Sequence, residues 1–140
     1  MNPLPFIKLW GNLLVPLQGE VTDSLAERIS SEVLDRVHQS EVDNVIIDIS
    51  GLWLLDSHIC SMLATLAASA ELMGTRTFIC GMSAEIAQTL QTMDIGLDHM
   101  QSARSVEQAL EQLGFHVSRI ARDANDANDA NDDRTDEVTP

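Results

Sequence analysis

The chain has 140 residues, enough for one domain with a full core and a tail, and its 8 basic against 22 acidic residues leave a net charge of −14. Charge of that sign and size repels nucleic acid and anionic membrane, and no apolar run reaches the ~18–20 residues of a spanning helix. A basic protein partner or simple solubility is what remains. Cys60 and Cys80 lack CxxC spacing and read as reduced core thiols, and Met1 to Pro5 has neither the basic start nor the apolar core of a signal peptide, so a cytoplasmic protein is expected.

Phe6 to Trp10 reads as a first strand, Gly11-Asn12 as a hairpin turn and Leu13 to Gln18 as the returning strand. Pro16 cannot donate to a ladder, so it belongs at an edge, at a bulge or on a non-bonded side. Thr22, Asp23 and Ser24 are three candidate caps for a helix that runs to about Gln39. Leu25, Ile29, Val33 and Val37 recur at steps of four there, while Glu27, Arg28, Glu32, Asp35 and Arg36 take the wet face.

Asn44 to Ser50 is a β-branched run with one carboxylate, Asp48, near its end. It predicts a strand buried on both faces of a sheet. Gly51-Leu52-Trp53-Leu54-Leu55 follows as a loop whose apolar side chains are expected to fold back on the protein. Asp56 and Ser57, both good N-cap residues, then open a helix from Ile59 to about Met73. Glu71 is its one charge, so most of its surface is expected to meet protein, with Ala64, Ala67, Ala68 and Ala70 allowing close approach. Two readings of Ser57 stand open. It can be a helix cap, or it can be a hydroxyl held at the positive end of a helix dipole beside a carboxylate.

Gly74 ends that helix, and Arg76 to Cys80 is a further strand. Ser83 caps a helix from Ala84 to about Thr92 whose Ile86, Leu90 and Met93 face inward. A short edge strand is expected within Ile95 to Met100, and a last helix from Ala103 to Leu113. The order, one hairpin followed by βαβ units, implies an α/β fold with a mixed sheet of four to five strands and four helices. Residues 1–118 form the domain. Past Ser118 the Ala-Asn-Asp tandem has almost nothing to bury, so 119–140 is expected to be a disordered acidic tail of net charge −4, leaving −10 on the body. Its aspartates lack the central Gly and closing Glu of a calcium loop.

No enzyme motif is present. The glycines never cluster into a phosphate-binding loop, Ser57 lacks the flanking glycines of a nucleophile elbow, and His38, His58, His99 and His116 share no metal-ligand spacing. No metal and no cofactor are called for. A phospho-aspartate receiver would suit Asp48 but needs an acidic pair after its first strand, where this chain has Gly11-Asn12.

The order of elements and the pair Asp56-Ser57 resemble a STAS domain, the SpoIIAA-like fold of anti-sigma-factor antagonists. The match is nearest to the single-domain stressosome scaffolds of the RsbS type. It rests on Ile7-Lys8-Leu9-Trp10 with Leu14-Val15, Val45-Ile46-Ile47-Asp48-Ile49, Leu55-Asp56-Ser57 with Ile59, Leu72-Met73-Gly74, Cys80-Gly81 and Thr89-Leu90. Asp-Ser-His-Ile replaces the Asp-Ser-Ser-Gly of simpler antagonists, and the acidic tail is a further departure. The resemblance implies a non-enzymatic scaffold with a switch surface at Asp56, Ser57 and His58, and Ser57 as the phosphorylated residue. The implied partners are an R-type STAS paralogue, a GHKL-type serine kinase held until Ser57 is phosphorylated, and a PP2C-type phosphatase. A homodimer and a large hetero-oligomer are implied as well. The alternative is an anti-sigma-factor antagonist or a passive STAS module acting on another protein, with Ser57 only a cap.

Overall fold

A computed structural model describes residues 4–39, 42–94 and 97–115. Among them the elements run β1 (Ile7–Leu9), β2 (Asn12–Gly19), α1 (Asp23–His38), β3 (Asn44–Leu52), α2 (Ser57–Leu72), β4 (Arg76–Cys80), α3 (Ala84–Met93), β5 (Met100–Ala103) and α4 (Val106–Gln112). The sheet order is β1-β2-β3-β4-β5, with β1 antiparallel to β2 and every other pair parallel. This is the mixed α/β sheet that the sequence implies, at five strands. The fifth strand starts at Met100, later than expected, so Ala103 ends a strand and the last helix opens only at Val106. Ser105 holds that opening, its hydroxyl accepting the Gln108 N–H at 3.1 Å.

The hairpin turn lies one residue earlier than Gly11-Asn12. Trp10 and Gly11 take φ of 51° and 79°. Positive φ at both central residues gives the turn the hand that suits twisted antiparallel strands. Asn12 instead opens β2 fully buried, its Nδ2 donating to the Trp10 carbonyl at 3.4 Å and its Oδ1 accepting from Asn44 Nδ2 at 3.0 Å. β1 pairs only with Asn12 to Leu14, so Pro16 lies beyond its reach, and the pairing of β2 with β3 slips between Pro16 and Gln18. The missing N–H therefore meets an open edge and a bulge at once.

β3 is the buried strand. Val45, Ile47 and Ile49 point into a cluster with Ile29, Val33 and Val37 of α1 and Ile59, Leu63 and Leu66 of α2. Ile46, on the opposite alternation, is also fully buried and lies in register with buried Phe78 of β4. Burying each such side chain is worth about 1.5–3 kcal/mol, which makes this strand the centre of stability. α2 buries Ala67 and Ala70 completely, as its small residues foretell, but its last turn departs from expectation. Leu72 is 90% exposed and Met73 is 43% exposed. In α3, Leu90 is buried as expected, whereas Met93 is 37% exposed and does not face inward.

Two units are distinguished, residues 1–109 and 110–140. The first contains the whole sheet and α1, α2 and α3. Of the second, 110–115 are described, and Phe115 N–H closes the end of α4 on the Leu110 carbonyl at 2.8 Å. The expected boundary after Ser118, the tail and the aspartate tandem lie outside the described residues. Among those described, no helix is long and apolar enough to cross a membrane.

Candidate functional site

The site grows from the C-terminal end of β3. After Leu52 the chain leaves the sheet, and Trp53 N–H donates to the Gly19 carbonyl at 2.9 Å, tying the loop to the end of β2. Leu55 is buried and anchors the loop from below. Trp53 and Leu54 do not fold back as the sequence led us to expect, for they are 82% and 62% exposed. The apolar run is therefore divided, with Leu52 and Leu55 buried and Trp53 and Leu54 between them facing outward.

Asp56 follows in extended conformation (φ −98°, ψ 177°) and is the N-cap of α2. Its Oδ1 accepts the Ile59 N–H at 2.9 Å, and its carbonyl accepts the Cys60 N–H at 3.0 Å. Ser57 is the first residue inside the helix, exposed, and its hydroxyl has no hydrogen-bond partner among the described residues. The capping reading of Ser57 is thus corrected. A carboxylate, the stronger acceptor, takes the cap and leaves the next hydroxyl outside. His58 leans the other way and places Nε2 3.3 Å from Asp23 Oδ1 at the start of α1. Asp23 is itself not a cap, since Thr22 accepts the Leu25 N–H at 3.2 Å. The starts of α1 and α2 therefore lie side by side, joined across sequence by His58 and Asp23.

Beneath this rim the helix turns inward. Ile59 and Cys60 are buried, and the Cys60 thiol is pushed up from its ordinary range by burial and then by the Asp56 charge. His58 and Cys60 accordingly face different surroundings. Asp48 stands apart from this cluster. Its Oδ1 accepts the Ser50 N–H at 3.0 Å, and its charge, after burial, helps push the Cys80 thiol up to about 12. Among the described residues no group of three His, Cys, Asp or Glu is gathered closely enough to hold a metal ion.

Asp56, Ser57 and His58 are thus exposed together at the start of α2, with Asp23 and Trp53 as additions that the sequence reading did not place there. An exposed hydroxyl in the first turn of a helix can carry an anionic group, because free N–H groups and the helix dipole favour negative charge at that end.

A family model of the STAS domain matches residues 7–112. The chain is 28% identical over 104 residues to the RsbT co-antagonist protein RsbRD of Bacillus subtilis, which covers 74% of this chain but 37% of that protein. It therefore spans little more than a third of that relative's length. In structure it is similar to RsbS of Moorella thermoacetica in a serine-to-glutamate variant, with a TM-score of 0.71 at 24% identity over 86% of this chain and 99% of that one. A chain in a structure of the stressosome, described as a signal integration and transduction hub, matches with a TM-score of 0.65 at 24% identity, covering 84% and 99%. At that identity the two likenesses establish the fold.

Proposed function

Since the chain belongs to the STAS domain family, we propose that it is a non-enzymatic, cytoplasmic scaffold and phosphorylation switch of a stressosome-type assembly. In this reading it associates with R-type STAS paralogues and retains a GHKL-type serine kinase until Ser57 is phosphorylated. A PP2C-type phosphatase reverses the step. The observation that carries the reading is the division of labour at the start of α2. Asp56 does the structural work of capping, and the Ser57 hydroxyl is exposed with no partner among the described residues.

The chemistry belongs to the kinase. A bond forms from Ser57 Oγ to the γ-phosphorus of ATP as the bond to ADP breaks, and the hydroxyl proton passes to a base on the kinase. This chain supplies the position. The phosphate adds about −1.5 to −2 charges, which the helix N-terminus tolerates, so the fold persists. A docked partner fares differently. It must dehydrate a dianion beside the Asp56 carboxylate at the margin of the contact, and both effects oppose binding. The passive-module alternative, with Ser57 only a cap, is weakened because Asp56 occupies the cap.

The test uses the purified serine kinase and R-type paralogue of the same organism. With ATP, intact mass is expected to rise by one phosphate in the wild-type chain and not in Ser57→Ala. Mixing with the paralogue is expected to give a particle far larger than either component in light scattering. An unchanged mass with a kinase active on a control substrate overturns the switch, and no change in particle size overturns the scaffold.

A further inference from the structure

The exposed pair before the cap has a role that the switch reading leaves unassigned. Trp53 and Leu54 are 82% and 62% exposed, yet they are not a loose end. The Trp53 backbone is fixed to Gly19 at 2.9 Å, and Leu55 is buried immediately after the pair. The indole lies near Gly19, where an added Cβ would stand 4.0 Å from Trp53 Cε2. A large ring held open to water on a fixed backbone costs solvation and gains nothing for the fold. Trp is also the side chain most often found to dominate protein contacts.

The surroundings decide what fits there. Glu20, Asp23 and Asp56 are exposed on the two segments that meet at the Trp53–Gly19 hydrogen bond. Neither segment brings a compensating cation, for no Lys or Arg occurs from residue 9 to 27 or from 37 to 75. A second copy of this chain would bring the same acidic rim and be repelled, as would an anionic bilayer. The complementary surface is a protein with an apolar pocket bordered by Lys and Arg.

We propose that Trp53 and Leu54 are the docking anchor for the serine kinase that acts on Ser57, seated in an apolar pocket with a basic border. This rests on the reading of Ser57 as the phosphorylated switch and adds what holds the kinase in place. The rim carboxylates attract and orient the kinase, and the apolar pair holds it. Phosphate at Ser57, three residues after Leu54, must itself be dehydrated before the pair can seat, and dehydrating a dianion costs more than its attraction to the basic border returns.

Rim and anchor separate in kinetics, because steering acts on association and buried anchors act on dissociation. Binding of the purified kinase to the full chain is measured by surface-immobilised kinetics across a salt series. Trp53→Ala is expected to raise the dissociation rate by about tenfold or more, and Leu54→Ala by a smaller factor. Both are expected to leave the melting temperature unchanged, because the side chains are exposed. Salt is expected to slow association in wild type and variants alike. Dissociation within twofold of wild type in Trp53→Ala overturns the anchor. Association indifferent to salt overturns the basic border. A wild-type dimer that Trp53→Ala dissociates overturns the assignment in favour of a second copy. Phosphate incorporation on Ser57, read by mass in the same samples, reports separately on the switch. Incorporation with an unchanged Trp53→Ala leaves the switch standing and removes the anchor. Tenfold weaker binding without incorporation does the reverse.

Discussion

Asp56 Oδ1 accepts the Ile59 N–H at 2.9 Å, and Ser57, one residue on, keeps an exposed hydroxyl free of that duty. Neighbouring residues of equal capping ability are thereby separated into a structural one and an available one. The separation can be measured. Asp56→Ala removes the cap and should cost about 0.5–2 kcal/mol in urea unfolding. Ser57→Ala touches an exposed first-turn position and should stay within about 0.5 kcal/mol of wild type. Equal losses in the two variants would show that Ser57 shares the cap.

Two glycines at positive φ should respond very differently to alanine. Gly74 (φ 89°) has nothing within 4 Å of an added Cβ, so Gly74→Ala pays only for the left-handed backbone, about 1–2 kcal/mol. At Gly81 (φ 80°) the same atom would stand 2.6 Å from Asp48 Oδ1 and 2.8 Å from both Ser50 Cβ and Ser50 N. Backbone cannot yield as a side-chain tip can, so overpacking should add about 1–3 kcal/mol. The difference in urea midpoints between the two variants checks it, and similar midpoints would mean that β3 and β4 can separate at their ends.

The buried thiols set a pH dependence. Cys80 is pushed up from 9.0 to about 12, first by burial and then by the Asp48 charge, and Cys60 is raised by burial and Asp56. The folded state therefore keeps protons that the unfolded state gives up once pH passes 9. Stability from this source is intact below pH 9 and is lost as pH rises towards 12. At pH 8 neither thiol should react with a thiol reagent in the folded protein, since the thiolate is the nucleophile. Both should react in guanidinium. Rapid labelling of either without denaturant would contradict the burial.

His58 and Asp23 make a pair that is 3.3 Å long and open to solvent, with side-chain exposures of 51% and 82%. Such a contact orients more than it stabilises. His58→Ala should change stability by less than about 1 kcal/mol, and moderate salt should erase the difference. A larger loss that persists in salt would make the pair a structural clasp between α1 and α2.

Much of this was legible in the sequence, because period and punctuation agree along most of the chain. The run from Asn44, the stripe of Ile29, Val33 and Val37, and the caps near Thr22 and Ser83 each point to the element that forms. Two kinds of feature escaped. A short edge strand was expected before Met100, but its place at Met100 to Ala103 was not, because that stretch has little apolar alternation and its pairing with β4 is decided by the neighbour more than by its own side chains. Trp53 and Leu54 escaped for the opposite reason. Hydrophobicity predicts burial, and it is blind to a surface kept apolar for another molecule. At the site, residue identities pointed to Asp56, Ser57 and His58, but which oxygen caps the helix depends on a backbone angle that composition does not report.

The bulge at Pro16 bears on how copies of such a chain tolerate crowding. An assembly raises local concentration to levels at which exposed sheet margins tend to recruit one another and grow without limit. At this margin an incoming strand meets three residues of β1, then a proline without an N–H and a slipped register. A hydrogen-bond ladder started there stops almost at once. Any molecule that meets this side therefore meets side-chain surface in place of a continuous backbone ladder, and the open-ended strand addition that builds fibres has no template there.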